Sequence, residues 1–434
     1  MAQSFENLGK IPELRNRILY TLLMFIVFRI GVYITTPGVN PVALTQFFHA
    51  SNSNLFGLFN MFTGGALSRF SIFSLGIMPY ISSSIIFQML PMVIPSLERL
   101  QKEGGDAGRK KFMQYIRYGT VILSLFQSIG ISYGIELMKS PGGMPVVGHP
   151  GLNFMMISVI TLTAGTVFVM WIGEEISERG IGNGISLIIF AGIVAAIPAA
   201  LINTVKIVQT GELNVMLMVL IAAMMILVIG FIVFVESAQR RIPVQYAKKM
   251  VGRKLYSGQS SYLPIKVNTP GVIPPIFAMS ILLFPATIAN FIKLPAFEGI
   301  SSYLNPAGLV YNILFVALIF FFCYFYTAIT FKVDDVADDL RKYGGNIPGI
   351  KPGKSTAHYI DKILNRVTFI GAIYVSAICL LPTILINKFH VPFYFGGTGL
   401  LIVVVVAMDT IVQIQSHLLY RNYDSLLKKV SKKK

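Results

Sequence analysis

Charge is what this sequence has least of for its length. Only 13% of its 434 residues are Asp, Glu, Lys or Arg, about half the ~25% usual in soluble domains. Cysteine is nearly absent. Cys323 and Cys379 both lie inside apolar runs, which excludes a disulfide framework and a metal knuckle. The five histidines are scattered, and none pairs with a second ligand at helical spacing. No Ser-His-Asp set, metal cluster or intramembrane protease motif is present, so the chain is read as no enzyme, with no cofactor. The opening MAQSFENLGKIPELRNR also lacks the short apolar core and small-residue cleavage site of a removable signal peptide.

What fills the space is apolar. Hydrophobic residues make up 54% of the chain and the mean hydropathy is +0.68, the signature of an integral membrane protein. Ten apolar segments follow a short amphipathic leader: Ile18–Ile34, Phe73–Ile94, Gly119–Leu137, Phe154–Ile172, Ile185–Ile202, Val215–Val235, Val272–Ile292, Val310–Phe331, Val367–Ile386 and Leu400–Ile414. Each approaches the roughly 20 residues that cross a bilayer as a helix.

The net charge of +17 takes its meaning from its placement. Thirty of the 36 basic residues fall in loops and ends on one side of the segments, and five on the other: Arg69, Lys139, Lys206, Lys293 and Lys388. Arg29 lies within the first segment. By the positive-inside rule both termini are cytoplasmic, as an even number of spans requires. Two cytoplasmic loops are long and basic, about 237–269 and 332–366. The first carries Arg240, Arg241, Lys248, Lys249, Arg253 and Lys254. The second carries Asp334, Asp335, Asp338 and Asp339 near its start and GGNIPGIKPGKST at its tip. They read as projecting hairpins that a cytoplasmic partner can grip, or as lysine-rich connectors touching anionic headgroups.

The most unusual stretch is Asn54–Pro95. An aromatic segment broken by Gly57, Gly64 and Gly65 leads into an apolar helix holding Pro79, Tyr80, Ser82, Ser83 and Ser84. Irregular or polar backbone at membrane depth is tolerated only inside protein or beside water, so a re-entrant element and a passage-lining helix are expected. Two other motifs mislead. GIKPGKS at Gly349–Ser355 is one residue short of a phosphate loop. GIGNG at Gly180–Gly184 lacks a preceding strand and an acidic ribose ligand, and is expected to be a tight turn. Glu174, Glu175 and Glu178 beside it read as a solvated helix end. Arg29 is expected to snorkel outward, and Asp409 is the deepest carboxylate.

Five stretches carry a resemblance: TGGALSRFSIFSLGIMPYISSSII (63–86), ISERGIGNGISLIIFAGI (176–193), TPGVIPPIFA (269–278), PGIKPG (348–353) and FGGTGLLIVVVV (395–406). In that order, over about 5–427, the chain resembles the SecY family, the channel subunits of the Sec protein translocon. The resemblance implies an all-α membrane protein of ten transmembrane helices, in two pseudosymmetric inverted halves around a central pore. The corresponding boundaries are a leader at 1–17, an N-terminal half at 18–202, an extracytoplasmic hinge loop at 203–214, a C-terminal half at 215–416 and a basic tail at 417–434.

It also implies a pore ring of Ile81, Ile85, Ile185, Ile189, Ile276 and Ile402. A plug spans about 60–73, in Asn60, Met61, Phe62, Thr63, Gly64, Gly65, Ala66, Leu67, Ser68, Arg69 and Phe70 onward. A lateral gate separates the second and third spans from the seventh and eighth. Implied partners are SecE and SecG as a heterotrimer, the SecA ATPase and the ribosome on the basic loops, signal sequences, unfolded preproteins and membrane lipid. Nucleic acid would be met only through the ribosome. The implied location is the bacterial cytoplasmic membrane. Lys351 stands where many bacterial relatives have arginine, keeping the charge without the planar fork. The rival reading from residues alone is a secondary transporter of small solutes, with Asp409 as its only candidate midplane ligand. A scaffold that merely recruits cytoplasmic proteins would have no use for the serine-rich second span.

Overall fold

Long runs of Leu, Ile, Val and Phe in lipid leave the backbone no partner but itself, and helix is the local solution. The computed structural model describes residues 12–50, 57, 60–102, 104–138, 144–211, 214–246, 249–251, 254–256, 260–291, 308–389 and 397–431. Among them, eight helices are long and apolar enough to cross a membrane. They lie within α1 (Pro12–Tyr33), α5 (Gly105–Glu136), α6 (Leu152–Arg179), α7 (Gly184–Gln209), α8 (Val215–Ser237), α10 (Leu309–Thr330), α12 (Lys354–Phe389) and α13 (Gly397–Ser431). Shorter elements are α2 (Pro41–Ala50), α3 (Met78–Met89), α4 (Pro95–Lys102), α9 (Ile273–Phe291) and α11 (Val333–Lys342).

The second apolar segment is not one continuous span. Helix α3 begins only at Met78, with Pro79 in its first turn, and gives way to a 3-10 turn at Leu90–Met92 around Pro91. Proline is welcome in a first turn but removes a ladder hydrogen bond further in, so the helix is confined to 12 residues. The connector expected at 203–214 is also shorter, since α7 continues to Gln209 and Asn214 caps α8 through its side chain.

Helices α5 and α6 meet along small polar residues. Thr120, Ser124, Ser128 and Ser132 of α5, four apart, are buried, as are Ser158, Thr163 and Thr166 of α6, and Ser128 Oγ lies 3.4 Å from Thr163 Oγ1. Small residues let backbones approach where lipid supplies no hydrophobic drive. The Phe73 ring stacks between Phe28 of α1 and Phe168 of α6 at 5.9 and 6.0 Å. Gly31 of α1 and Gly165 of α6 admit Phe73 and the Ile72 carbonyl, respectively.

The two long loops form one folded unit. Strand β1 (Gln239–Tyr246) pairs antiparallel with β4 (Ser260–Lys266), with Ile242 opposite Leu263; β2 (Lys249–Val251) and β3 (Lys254–Tyr256) pair within the same loop. The edge of β1 takes β5 (Gly345–Asn346) from the second loop. Ile242, Ile265, Ile347, Ile360 and Leu364 make a second core beneath them. Helix α11 covers it with Val333, Val336 and Leu340 while its aspartates face out.

Several polar residues are placed differently from expectation. Glu174 bonds Arg117 at 2.9 Å with its side chain only 16% exposed. Glu175 accepts from Tyr20 Oη at 2.7 Å and pairs with Arg179 at 3.1 Å. Glu174 and Glu175 thus tie α6 to α5 and α1, while Glu178 alone is exposed as a solvated helix end would be. Asp409 is no deep carboxylate: it is 59% exposed and faces Lys266 of β4 at 3.9 Å.

Candidate functional site

The first two spans and the loop between them build the centre of the molecule. Met61, Phe62, Ala66, Leu67 and Phe70 are buried, and the segment is stitched internally. Asn60 accepts from Gly65 N with its carbonyl (2.8 Å) and from Ser68 N with its Oδ1 (2.9 Å). Gly64, Gly65 and Gly76 have φ of +67°, +87° and +56°, values that glycine adopts without the Cβ penalty. Phe70 is the sole non-glycine residue with positive φ among the described residues, at +44°. Directly after it the chain is anchored: Thr36 N donates to Phe70 O at 2.8 Å, and Ile72 N to Ile34 O at 2.9 Å.

The six isoleucines named from the sequence come from four helices. One continuous apolar cluster holds Ile81 and Ile85 of α3, Ile189 of α7, Ile276 of α9 and Ile402 of α13, none more than 6% exposed. Ile185 is half-buried and packs against the cluster. Water therefore does not reach five of these side chains.

The looped segment sits directly beside them. A Cβ on Gly64 would lie 3.0 Å from Gly192 Cα, and one on Gly399 would lie 3.0 Å from Met61 Cε. Gly192 is three residues beyond Ile189 in α7, and Gly399 three residues before Ile402 in α13. Three residues are close to one helical turn, about 5 Å. The loop is thus seated one turn from the isoleucines on two helices at once. Neither glycine was singled out in the sequence; the signal was their position one turn from a ring residue.

Ser83 does not face a passage. It is buried and donates to Ile116 O of α5 at 2.8 Å, with Gly119 leaving it room. Ser84 accepts from Gln88 Nε2 at 2.9 Å. On the opposite flank α9 packs directly on α3 and α5, and Ser280 Oγ lies 3.7 Å from Met78 Sδ while donating to Ile276 O at 2.8 Å. Phe277 meets Phe322 of α10 edge-on at 5.6 Å. The seam between the second and third spans and the seventh is closed.

The basic residues lie on the folded loops. Arg240 and Arg241 are exposed on β1, with Arg241 over the Tyr262 ring at 5.4 Å. Lys249 and Lys254 lie in β2 and β3, while Lys248 and Arg253 fall outside the described residues. Lys351 is exposed on a turn whose Gly349 and Gly353 have positive φ, and its carbonyl accepts from Thr356 Oγ1 at 3.0 Å. The GIGNG turn joins four spans. Ile181 N donates to Thr21 Oγ1, Gly184 N to Ser177 Oγ and Gly182 N to Gln413 Oε1, and Asn183 caps α7.

The sequence model of the SecY family matches residues 71–411. The chain belongs to the SecY family. It is 49% identical over 434 residues to the protein translocase subunit SecY of Escherichia coli K12, covering 98% of this chain and 96% of that one. The SecY of Aquifex aeolicus is 47% identical over 429 residues, with 99% and 100% covered.

Its fold is that of solved channels. A protein-conducting channel superposes with a TM-score of 0.68 at 19% identity, over 94% of this chain and 96% of that one. Sec61 in a canine ribosome–channel complex from the endoplasmic reticulum gives 0.65 at 18%, with the same coverage. Another match, at 0.66 and 20% identity, is a SecY protein whose plug domain stabilises the closed channel and maintains a membrane seal. The chain is an all-α membrane protein of this SecY channel fold, with small sheets added in the unit formed by its two long loops.

Proposed function

We propose that the chain is the central channel-forming subunit of a bacterial Sec translocon, passing unfolded secretory proteins across the cytoplasmic membrane and releasing membrane spans sideways into lipid. Both termini lie in the cytoplasm, and the two five-span halves are inverted repeats hinged around Thr210–Asn214. The pore ring is Ile81, Ile85, Ile185, Ile189, Ile276 and Ile402, and the plug is the segment from Asn60 to Phe73. The observation carrying this reading is the seat of that segment on Gly192 and Gly399, one turn from Ile189 and Ile402.

The physics suits the task. A translocating chain must pass without being bound, and isoleucine offers it no hydrogen bond. A narrow apolar constriction also stops ions by dewetting. Sorting needs only access to lipid: an apolar segment lowers its free energy by leaving through the gate, whereas one central charge opposes insertion by about 2.5–3.5 kcal/mol. Opening would separate α9 from α3 and α5, parting Ser280 from Met78. SecE and SecG complete the heterotrimer. The energy for pushing comes from SecA or a translating ribosome docked on Arg240, Arg241, Lys248, Lys249, Arg253, Lys254 and Lys351.

The test is to arrest a secretory chain in transit and photocrosslink it from Ile81 or Ile402. Adducts to the arrested chain are expected at both positions; adducts to lipid alone would overturn the assignment.

A further inference from the structure

The first span carries one charge in its apolar length, Arg29, four residues before the end of α1 and so about 6 Å inside it. A guanidinium at that depth is costly and normally turns toward water. Here it turns toward the plug. Arg29 Nη1 donates to Gly64 O at 2.9 Å, and its Nη2 to Tyr33 Oη at 3.4 Å. Its Cζ lies 5.4 Å from the Tyr33 ring centroid. The same ring receives a second cation, Arg69 of the plug, at 4.1 Å. Thus α1 grips the plug at two points, through the Gly64 carbonyl and through Arg69 on Tyr33.

We infer that Arg29 and Tyr33 form a latch that holds the plug in its seat and must be undone before the channel opens. This rests on reading the segment as the plug. Three features of the geometry support it. The plug is stitched internally through Asn60, so it can leave as a unit. Beyond Phe70 the chain stays fastened to the end of α1 through Thr36 and Ile34. Phe70 itself holds a φ of +44°, a backbone state that a bulky residue keeps only under constraint, and it stands at the border of the movable and anchored parts as a swivel. The latch contacts lie before Phe70 and the contacts to Thr36 and Ile34 at and beyond it; Ala66 O, which accepts from Ser71 N and Ser74 Oγ across that border, must be released together with the latch.

The latch has a built-in release. Its Arg–Tyr contacts are already exposed, so the bond that holds it is the part-buried, charge-assisted one from Arg29 to the Gly64 carbonyl. A polypeptide backbone that reaches Arg29 would compete for that bond and loosen the latch.

The test uses the full chain, purified with its membrane partners and placed in vesicles, with Cys323 and Cys379 replaced by alanine. Ser68→Cys on the plug then reports undocking through its labelling rate with a membrane-impermeant maleimide. Arg29→Leu is expected to raise that rate by about tenfold, the equivalent of one charge-assisted hydrogen bond, and to raise resting ion leak in parallel. Arg29→Lys keeps a donor but not the planar fork and should restore part of the difference. Tyr33→Leu leaves the Gly64 bond in place and should give a smaller rise, so a folding failure in one variant does not decide the matter. Labelling unchanged in both leucine variants would overturn the latch. Deletion of residues 60–73 separates the two ideas: if it leaks while Arg29→Leu labels normally, the latch fails and the plug stands. If the deleted channel stays tight, the plug reading fails, and the latch with it.

Discussion

Gly64 and Gly192 meet backbone to backbone. A Cβ on the first would stand 3.0 Å from the Cα of the second, and a Cβ on the second 3.2 Å from the amide nitrogen of the first. Neither side can give way, because the obstructing atoms are main chain. Gly192→Val should therefore lift the proposed plug from its seat while leaving α7 helical. The expected outcome is a raised ion conductance of resting vesicles with normal expression; conductance equal to the parent would remove Gly192 from the seal.

The proposed ring depends on dryness. Ile402 is fully buried, so Ile402→Asn places an amide where it finds no water, an unmade hydrogen-bond cost of about 1–3 kcal/mol. The closed state is destabilised and the constriction takes up water. Export of a substrate with a defective signal sequence is expected to rise by roughly tenfold, with increased ion leak. Selectivity and leak both unchanged would count against the ring.

Across the seam, the Ser280 hydroxyl, whose one proton goes to Ile276 O at 2.8 Å, touches Met78 Sδ at 3.7 Å. Ser280→Ala removes it at little steric cost. What is lost across the seam is an oxygen–sulfur contact, worth less than the ~0.5–1.5 kcal/mol of a neutral hydrogen bond, so opening should become easier by no more than about twofold. The rate of disulfide formation between cysteines placed across the seam would report it, falling as the closed state empties.

Much of this was legible in the residues because membrane helices announce themselves by composition. The runs at Val215–Val235 and Phe154–Ile172 fall within the observed α8 and α6. What stayed hidden was three-dimensional. The serines of α3 read as a wet face, but Ser83 serves to bind Ile116; a lone span cannot tell a neighbouring helix from a water-filled passage, since both satisfy a hydroxyl. The glutamates of α6 read as solvated because their partners, Arg117 and Tyr20, are 57 and 155 residues away in sequence. The strand at Gln239–Tyr246 was masked by Pro243 and its arginines, although Ile242 and Val244 do alternate inward. Arg29 reads as an outward snorkel because the sequence shows that a segment re-enters but not that its Gly64 carbonyl comes to the face of α1 carrying Arg29.

Asp409 offers a test against solute transport. Exposed ion pairs contribute about 0–1 kcal/mol, and the Asp409–Lys266 pair is exposed at both ends. Asp409→Asn is expected to leave protein translocation within about twofold of the parent. A loss of tenfold or more would mean that this carboxylate does more than steady the base of β4.

Lys351 stands exposed at the tip of the second long loop. The turn that carries it is held rigidly: Gly349 and Gly353 have φ of +81° and +100°, Thr356 bonds back to the Lys351 carbonyl, and β5 fixes the preceding residues to β1. The side chain itself is free in solvent. A rigid turn presenting one cation can be changed without disturbing the second core beneath it, so a substitution there reports on docking. Lys351→Glu reverses the charge and should lower ATP-driven translocation by tenfold or more by weakening SecA binding, with the fold unchanged. Lys351→Arg supplies the bidentate fork that lysine lacks and should tighten binding by up to a few fold. Binding curves for SecA on vesicles carrying each variant decide it: three superimposable curves would move the docking site off this turn and onto the β1–β4 hairpin.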